Sequence, residues 1–210
     1  MSGQWGFGRK LGITMRKLLA GAAFAALMAV AGQAMALGPN ILVNGGFETG
    51  DFTGWALSGN TGFTFVTGPF DGFSPQAGNY FAALGPVGSD GYLSQTFSDT
   101  PGVTYEASFY FGSDGGTPND FGVTGPGALS LPTMFDVPAT PWTFYYGFFT
   151  GSGSDTITFN FRNDPGYMAL DTVSVNSTVP EASTWAMMLV GFAGLGFAGF
   201  RARRTAIAAI

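Results

Sequence analysis

Residues 103–111 read VTYEASFYF, and their alternation decides the fold class. Every second residue is apolar, which places the apolar side chains on one face of an extended strand because side chains alternate between faces. Residues 156–162, TITFNFR, repeat the pattern. Strands that each bury one face predict two sheets packed face to face.

Outward from these two segments, short runs rich in Val, Thr, Phe and Tyr recur between clusters of Gly, Pro, Asn and Asp. Residues 37–178 hold about eleven such runs, and none has a helical period of useful length. That number favours a jelly roll over a seven-strand immunoglobulin topology. The sequence therefore predicts an all-β jelly-roll β-sandwich, with strands that include residues 41–43, 128–131 and 168–175.

The amino end, residues 1–36, is predicted to be a signal peptide. Arg16 and Lys17 precede an uncharged apolar run, and Ala34 and Ala36 frame a small-x-small cleavage site. We expect cleavage after Ala36, and Met15 is an alternative start because no second signal precedes it. A permanent transmembrane helix is disfavoured, since the apolar run is too short to span a bilayer.

The carboxyl end, residues 179–210, has three consecutive parts. A Val-Pro-Glu signature is followed by an uncharged apolar run over residues 185–200 and then by a basic cluster within residues 201–204. The run spans roughly 24 Å as a helix, and flanking Trp and Arg side chains extend it toward the ~30 Å of a bilayer core. We predict a single transmembrane helix with the arginines in the cytoplasm. A buried core helix is disfavoured, because its glycines weaken a helix in water.

This order resembles the sorting domain of the PEP-CTERM family, in its subgroup with a Trp-Ala pair after the signature Glu. The resemblance implies recognition by exosortase, an integral membrane protease-transpeptidase of Gram-negative bacteria that accompanies exopolysaccharide production. It also implies an exported ectodomain, anchored transiently in the inner membrane and then released to the cell surface or extracellular matrix. Ala182 replaces the usual second Pro. The residues of the sorting signal are Val179, Pro180, Glu181, Trp185, Ala186, Arg201, Arg203 and Arg204.

The predicted ectodomain, residues 37–178, is strongly acidic. It holds twelve Asp and Glu residues and one basic residue, Arg162, which gives a formal net charge of −11. Nucleic acid is excluded as a partner, because phosphate binding needs clustered Lys and Arg. The chain also has no His and no Cys. This excludes thiol and His-dependent catalysis and zinc sites with nitrogen or sulfur ligands, so a metal would be a hard cation such as Ca²⁺.

Two segments resemble the first and last strands of galactose-binding-like jelly rolls, which include carbohydrate-binding modules: NILVNGGFETGDFTGW at residues 40–55 and LDTVSV at residues 170–175. In such modules a Glu and an Asp at these places ligate a structural calcium ion, and they are Glu48 and Asp171 here. The alternation adds that Asp171 shares a face with Val173 and Val175. Its carboxylate would then be driven inward, where it must be paired, protonated or metal-bound. A solvated Asp that caps a turn is the alternative.

Aromatic residues make up 16% of the chain, and sugar-binding modules stack sugars on exposed rings. Tyr110, Tyr145 and Tyr167 are the candidates for sugar stacking. A glycosidase needs two carboxylates about 5 to 9.5 Å apart, and no signature pairs Glu48 or Glu106 with a catalytic Asp. We expect a non-catalytic protein of the cell envelope that binds exopolysaccharide glycans. The alternatives are a purely structural matrix or interaction protein and, less favoured, a glycoside hydrolase.

Overall fold

The computed structural model describes residues 35–127, 129–180 and 188–197. Met35–Val179 forms one unit, and of the other unit only Pro180 and a helix over residues 188–197 are described. Within these ranges, no helix has the length and hydropathy needed to cross a bilayer. The predicted span at residues 185–200 is thus described only in its middle, and the predicted signal peptide lies almost wholly outside the described residues.

The described part of the first unit is built from strands, and the predicted all-β sandwich is confirmed. The strands are β1 Met35–Asn40, β2 Ala56–Gly59, β3 Thr64–Thr67, β4 Phe81–Leu84, β5 Gly91–Ser98, β6 Thr104–Ser113, β7 Asn119–Thr124, β8 Met134–Phe135, β9 Thr140–Thr150, β10 Ser154–Asn163 and β11 Met168–Pro180.

These strands form two antiparallel sheets. The six-stranded sheet has the order β3-β4-β11-β6-β9, with β1 paired to β11, and the five-stranded sheet has the order β2-β5-β10-β7-β8. Most strands that are consecutive in the chain lie in different sheets, for example β5 and β6 or β9 and β10. This repeated crossing between two antiparallel sheets is the topology of a jelly roll.

The inner faces of the two sheets meet as the alternation of β6 and β10 predicts. Phe109 and Phe159 are fully buried, and their rings meet edge to face with centroids 5.3 Å apart. Phe121 packs against both, at 5.8 Å and 6.0 Å. Trp55 closes one end of this core, 8% exposed and 6.1 Å from Phe159. The sheets therefore enclose one core that is mainly aromatic.

Three segments differ from the sequence prediction. Residues 41–43 form no strand: Ile41 donates to the carbonyl of Val175, but at Val43 the side chain of Gln95 takes the place of a neighbouring strand, accepting from the N–H at 2.7 Å and donating to the carbonyl at 2.9 Å. Residues 129–131 lie in a loop that closes the core against Gly147. The last strand runs on to Pro180, so it includes the start of the predicted sorting signal.

The loop between β3 and β4 folds over part of the outer face of the six-stranded sheet. Phe70 and Phe73 form an antiparallel bridge across a tight turn, in which Asp71 and Gly72 have positive φ angles of 48° and 80°. Trp142 of β9 packs against Phe73 with ring centroids 5.5 Å apart. The loop thus covers a small second apolar cluster and leaves the remainder of β9 uncovered.

Candidate functional site

An uncovered row of aromatic rings lies on the outer face of the six-stranded sheet. Among the described strands, β9 lies at the edge of its sheet and pairs with β6 alone, and alternate residues along it point away from the core. Three of them are large and exposed: Phe144 at 48%, Tyr146 at 56% and Phe148 at 44%. We call these three residues, together with Tyr110 of β6, the aromatic row.

The rings of the aromatic row contact one another in sequence. Tyr110 and Phe144 are cross-strand partners with centroids 5.1 Å apart. Phe144 and Tyr146 stack at 5.8 Å with an interplanar angle of 22°, and Tyr146 meets Phe148 at 5.8 Å and 79°. Rings held by their neighbours lose little further freedom when a ligand binds, so the aromatic row is a preformed apolar platform.

A pocket adjoins the Tyr110 end of the aromatic row. Its volume is ≈ 510 Å³, and one of its walls is the loop over residues 72–76. Trp142 and Tyr110 form the opposite side. The indole N–H of Trp142 donates to the carbonyl of Ser74 at 2.9 Å, which fixes the ring against this loop. Platform and pocket together provide a concave end and a flat extension on one face.

Polar side chains lie beside the rings on the neighbouring strand. Ser108 is directly opposite Tyr146 and Glu106 is directly opposite Phe148, so each pair shares the outer face. The hydroxyl of Ser108 is 2.8 Å from that of Ser174 on β11. An apolar plane with polar groups at its margin can stack a ring and hydrogen-bond its substituents.

Asp171 also belongs to this outer face, which corrects its expected placement. It lies opposite Tyr110, whereas Val175 lies opposite the core residue Ala107. The register shifts between Asp171 and Ser174, where Thr172 has a φ of +52°. This β-bulge turns Asp171 away from the face of Val173 and Val175, because one extra residue reverses the alternation.

The carboxylate of Asp171 is buried beneath the loop between β3 and β4. Its Oδ2 accepts the N–H groups of Gln76 at 2.9 Å and Ala77 at 3.2 Å, and its Oδ1 accepts that of Thr172 at 2.6 Å. Burial raises the pKa of Asp171 to about 6, and the nearby Glu48 carboxylate adds to the rise. Asp171 therefore anchors the segment that forms the wall of the pocket.

Glu48 holds the next turn of the same loop. Its two carboxylate oxygens accept the N–H of Asn79 at 3.0 Å, and Oε1 also accepts that of Tyr80 at 3.1 Å. Desolvation opposes its ionisation, but these backbone hydrogen bonds outweigh it and lower the pKa of Glu48. A Cβ placed on Gly46 would lie 3.7 Å from Glu48 and 4.0 Å from Asp171. The structure thus brings the two predicted metal ligands close together.

The chemistry of this pair fits a hard cation. Its donors are carboxylate oxygens only, and an ion between two like charges would relieve the repulsion that raises the pKa of Asp171. Each carboxylate has about four lone-pair sites, of which the N–H groups use most, so backbone carbonyls and water would have to complete a calcium shell. Within the described residues, no cluster of three or more acidic side chains is placed to hold a metal.

The three tyrosines predicted to stack sugars have different environments. Tyr110 joins the aromatic row. Tyr145 does not fit the predicted role, because its ring stacks on the core residue Phe109 at 5.5 Å. Tyr167 packs edge-on against Phe70 at 4.9 Å and lines a smaller apolar pocket of ≈ 210 Å³. The sequence reasoning missed Phe144, Tyr146 and Phe148, although alternation around an inward Tyr145 would have placed all three on the outer face.

The predicted export and sorting residues lie at the margins of the described chain. Ala36 is exposed in β1, and Val179 and Pro180 end β11. The remaining ones lie outside the described residues: Ala34, Glu181, Trp185, Ala186, Arg201, Arg203 and Arg204.

Comparison with protein families supports the sorting prediction. Residues 178–204 match the family model of the PEP-CTERM protein-sorting motif, so the chain carries this motif. The motif indicates a secreted, membrane-anchored protein. The match begins inside the last strand of the sandwich. A search of curated proteins finds no match to the sequence.

Solved structures resemble the sandwich. TmCBM61, solved in complex with beta-1,4-galactotriose, has a TM-score of 0.51 and 20% identity, and the likeness covers 65% of this chain and 97% of that one. The CBM22-1 xylan-binding domain of Xyn10C from Paenibacillus barcinonensis has a TM-score of 0.47 and 20% identity, over 70% and 98% of the two chains. The likeness to TmCBM61 shows that the sandwich has the jelly-roll fold of a carbohydrate-binding module.

Proposed function

We propose that the sandwich is a non-catalytic carbohydrate-binding domain that uses the aromatic row and the adjoining pocket. The observation that carries this proposal is the line of exposed, mutually supported rings formed by Phe144, Tyr146 and Phe148. Large exposed apolar patches on a protein are usually binding surfaces. Flat rings beside polar groups suit a sugar, which has an apolar face and hydroxyls at its edge.

The carboxylates near the aromatic row support binding without catalysis. The two on the described strands of this sheet are Glu106, beside Phe148, and Asp171, opposite Tyr110. Asp171 is fully buried and accepts three backbone N–H groups, so it faces the loop and not the platform. A glycosidase places two carboxylates on either side of the scissile bond. Among the carboxylates on the described strands of this sheet, Glu106 is therefore the one left open to a ligand.

The test is binding of the full-length chain, purified in detergent, to an array of glycans. Tyr146→Ala should lower the affinity for the glycans that bind by about fivefold or more, since stacking on one ring contributes about 1 to 3 kcal/mol. Tyr92→Ala is the matched control, because Tyr92 is 39% exposed on the outer face of the other sheet. Equal loss in both variants would refute the site. So would an oligomer that Tyr146→Ala dissociates in the absence of sugar.

We further propose that exosortase recognises the carboxyl-terminal motif and releases the sandwich from the inner membrane toward the exopolysaccharide matrix. The match over residues 178–204 supports this route. Glu181→Ala should therefore accumulate in the inner membrane as the unprocessed form, whereas Tyr146→Ala should be processed normally. Mass spectrometry of both chain ends measures this, and also tests the predicted cleavage after Ala36. Equal processing of the two variants would contradict the proposal.

We also propose that Glu48 and Asp171 hold a structural calcium ion. The ion would tie the loop after β1 and the loop before β4 to the final strand. Its role would be to neutralise the two carboxylates and to stabilise the wall of the pocket. It would take no part in contacts with the sugar.

A further inference from the structure

Glu106 is an unusual neighbour for an aromatic platform. It is half-buried on the outer face, with Phe148 opposite it on β9 and Asn176 opposite it on β11. Neither neighbour neutralises it, since the amide of Asn176 donates to the carbonyl of Gly38 at 2.8 Å. On its own strand, Ser108 is paired with Ser174. Among the side chains that the structure describes, none donates a hydrogen bond to the carboxylate of Glu106.

Basic residues do not supply a counter-charge either. Residues 37–178 have no Lys, and their one Arg, Arg162, lies in β10 on the other sheet and is paired with Asp164. The carboxylate of Glu106 is thus partly shielded from water and has aromatic rings beside it, but it lacks a cation from the described part of the chain. Such a group attracts a cation from outside more strongly than a fully solvated carboxylate would.

We propose that the preferred ligand of the aromatic row is a glycan of amine-bearing sugars, whose ammonium group pairs with Glu106 while the sugar ring stacks on Tyr146 and Phe148. This inference rests on the proposed carbohydrate-binding function and names its ligand class. A charge-assisted hydrogen bond to the carboxylate and attraction of the ammonium to the ring faces would act together. The aromatic row alone would accept neutral sugars as well, so Glu106 provides the preference.

The charge of the whole sandwich favours the same ligand. With a net charge of −11 over residues 37–178, it repels polymers of uronic acids and attracts cationic ones. A polyuronate would also bring a carboxylate to Glu106 without any basic residue to separate the two charges. The N-acetylated form of such a glycan has the same sugar ring but no charge, which makes it the matched neutral ligand.

The experiment compares three oligosaccharides of equal length by calorimetry, with the full-length chain in detergent at a mildly acidic pH. They are β-1,4-linked glucosamine, its N-acetylated form and the corresponding glucose oligomer. We expect the amine form to bind on the order of tenfold more tightly than the other two. This advantage should shrink as salt is added, because screening weakens the ionic contact.

Two variants separate this inference from the proposed function. Glu106→Gln, which preserves size and shape, should bring the ratio of amine to N-acetyl affinity close to one. Asp136→Asn removes one charge from an exposed position in the loop after β8, where Asn also tolerates the positive φ of 48°, and should leave the ratio high.

The possible outcomes decide between the two proposals. If both variants lower the ratio equally, attraction of the amine form to the net negative charge of the sandwich explains the ratio, and the inference fails. If the ratio is one in the wild type while Tyr146→Ala weakens binding, the inference fails and the proposed function stands. If no sugar binds, both fail.

Discussion

The outer faces of the two sheets differ in the residues that they present to solvent. Across the six-stranded sheet, β9 presents Phe144, Tyr146 and Phe148 to solvent. The outward positions of β5 and β10 in the five-stranded sheet are mostly Ser, Thr and Asn. This sheet also has two exposed rings, Tyr92 of β5 at 39% and Phe135 of β8 at 72%, but two strands separate them and they form no row. The inner faces alternate in the same way in both sheets. The difference therefore arises from outward positions, where packing of the core imposes no requirement and function can select the residue.

Charges are also treated differently on the two faces. On the five-stranded sheet, Arg162 donates to Asp164, and Asp120 lies close to both. Desolvation and the neighbouring Asp90 raise the pKa of Asp120, whereas Arg162 opposes that rise. On the six-stranded sheet, Glu106 has no such partner among the described residues. One face has an arginine that pairs with a carboxylate, and the other has a carboxylate that no cation of the described chain pairs.

The largest expected difference between the faces comes from removing a carboxylate from each. Asp171→Ala should lower the free energy of unfolding by about 3 kcal/mol or more, because three backbone N–H groups would lose their acceptor. Asp120→Ala should change it by less than about 0.5 kcal/mol, since this removes repulsion along with polar contacts. Urea denaturation of the full-length chain measures both. Similar losses would mean that Asp171 does not anchor the loop.

Calcium should have the next largest effect on stability. We expect this effect to depend on Asp171 of the six-stranded sheet and not on Asp120 of the five-stranded sheet. An ion at one hundred times its dissociation constant stabilises the native state by about 2.7 kcal/mol, which would raise the melting temperature by roughly 5 to 10 °C. The comparison is a melting curve in calcium and in a chelator, for the wild type and for Asp171→Asn. Asp120→Asn is the matched control and should shift as the wild type does. Identical wild-type curves would exclude the ion.

The inward-facing residues of this sandwich could be predicted from the sequence, because burial of one face of a strand makes every second residue apolar. Val103 to Phe111 has aromatic or apolar residues at every second position, so its inner face was unambiguous. The stretch Thr143 to Thr150, TFYYGFFT, has aromatic residues at both odd and even positions, so either face could be the buried one. Its sequence alone therefore cannot tell Tyr145, which enters the core, from its neighbours. Only pairing with β6 settles which rings face outward.

Two other features depended on long-range contacts that a local pattern cannot contain. The alternation placed Asp171 with Val173 and Val175, but the bulge at Thr172 reverses it. Residues 41–43 look like a strand, yet the N–H and carbonyl of Val43 bond to the side chain of Gln95, which is distant in sequence. The family resemblance predicted that Glu48 and Asp171 lie close together. Neither the local sequence pattern nor the resemblance predicted that both residues hold the loop that forms the wall of the pocket.

The smallest expected effect concerns the ion pair of the five-stranded sheet. Arg162→Gln should lower the free energy of unfolding only slightly near neutral pH, because both partners are near the surface and salt screens them. The hydrogen bond from Arg162 lowers the pKa of Asp164 below its ordinary value of 3.8. Its contribution is therefore present above that value and is lost as the pH falls through the lowered pKa. The difference between wild type and Arg162→Gln should accordingly disappear in acid or in high salt.

Urea denaturation at several pH values and salt concentrations measures this difference, and glycan binding at neutral pH provides the second readout. Because Arg162 and Tyr146 lie on opposite sides of the sandwich, Arg162→Gln should leave the affinity for sugar unchanged. A loss of affinity in this variant comparable to that of Tyr146→Ala would move the binding surface to the polar face. The outer face of the five-stranded sheet would then be the sugar-binding surface, and the aromatic row would be assigned to contacts between proteins.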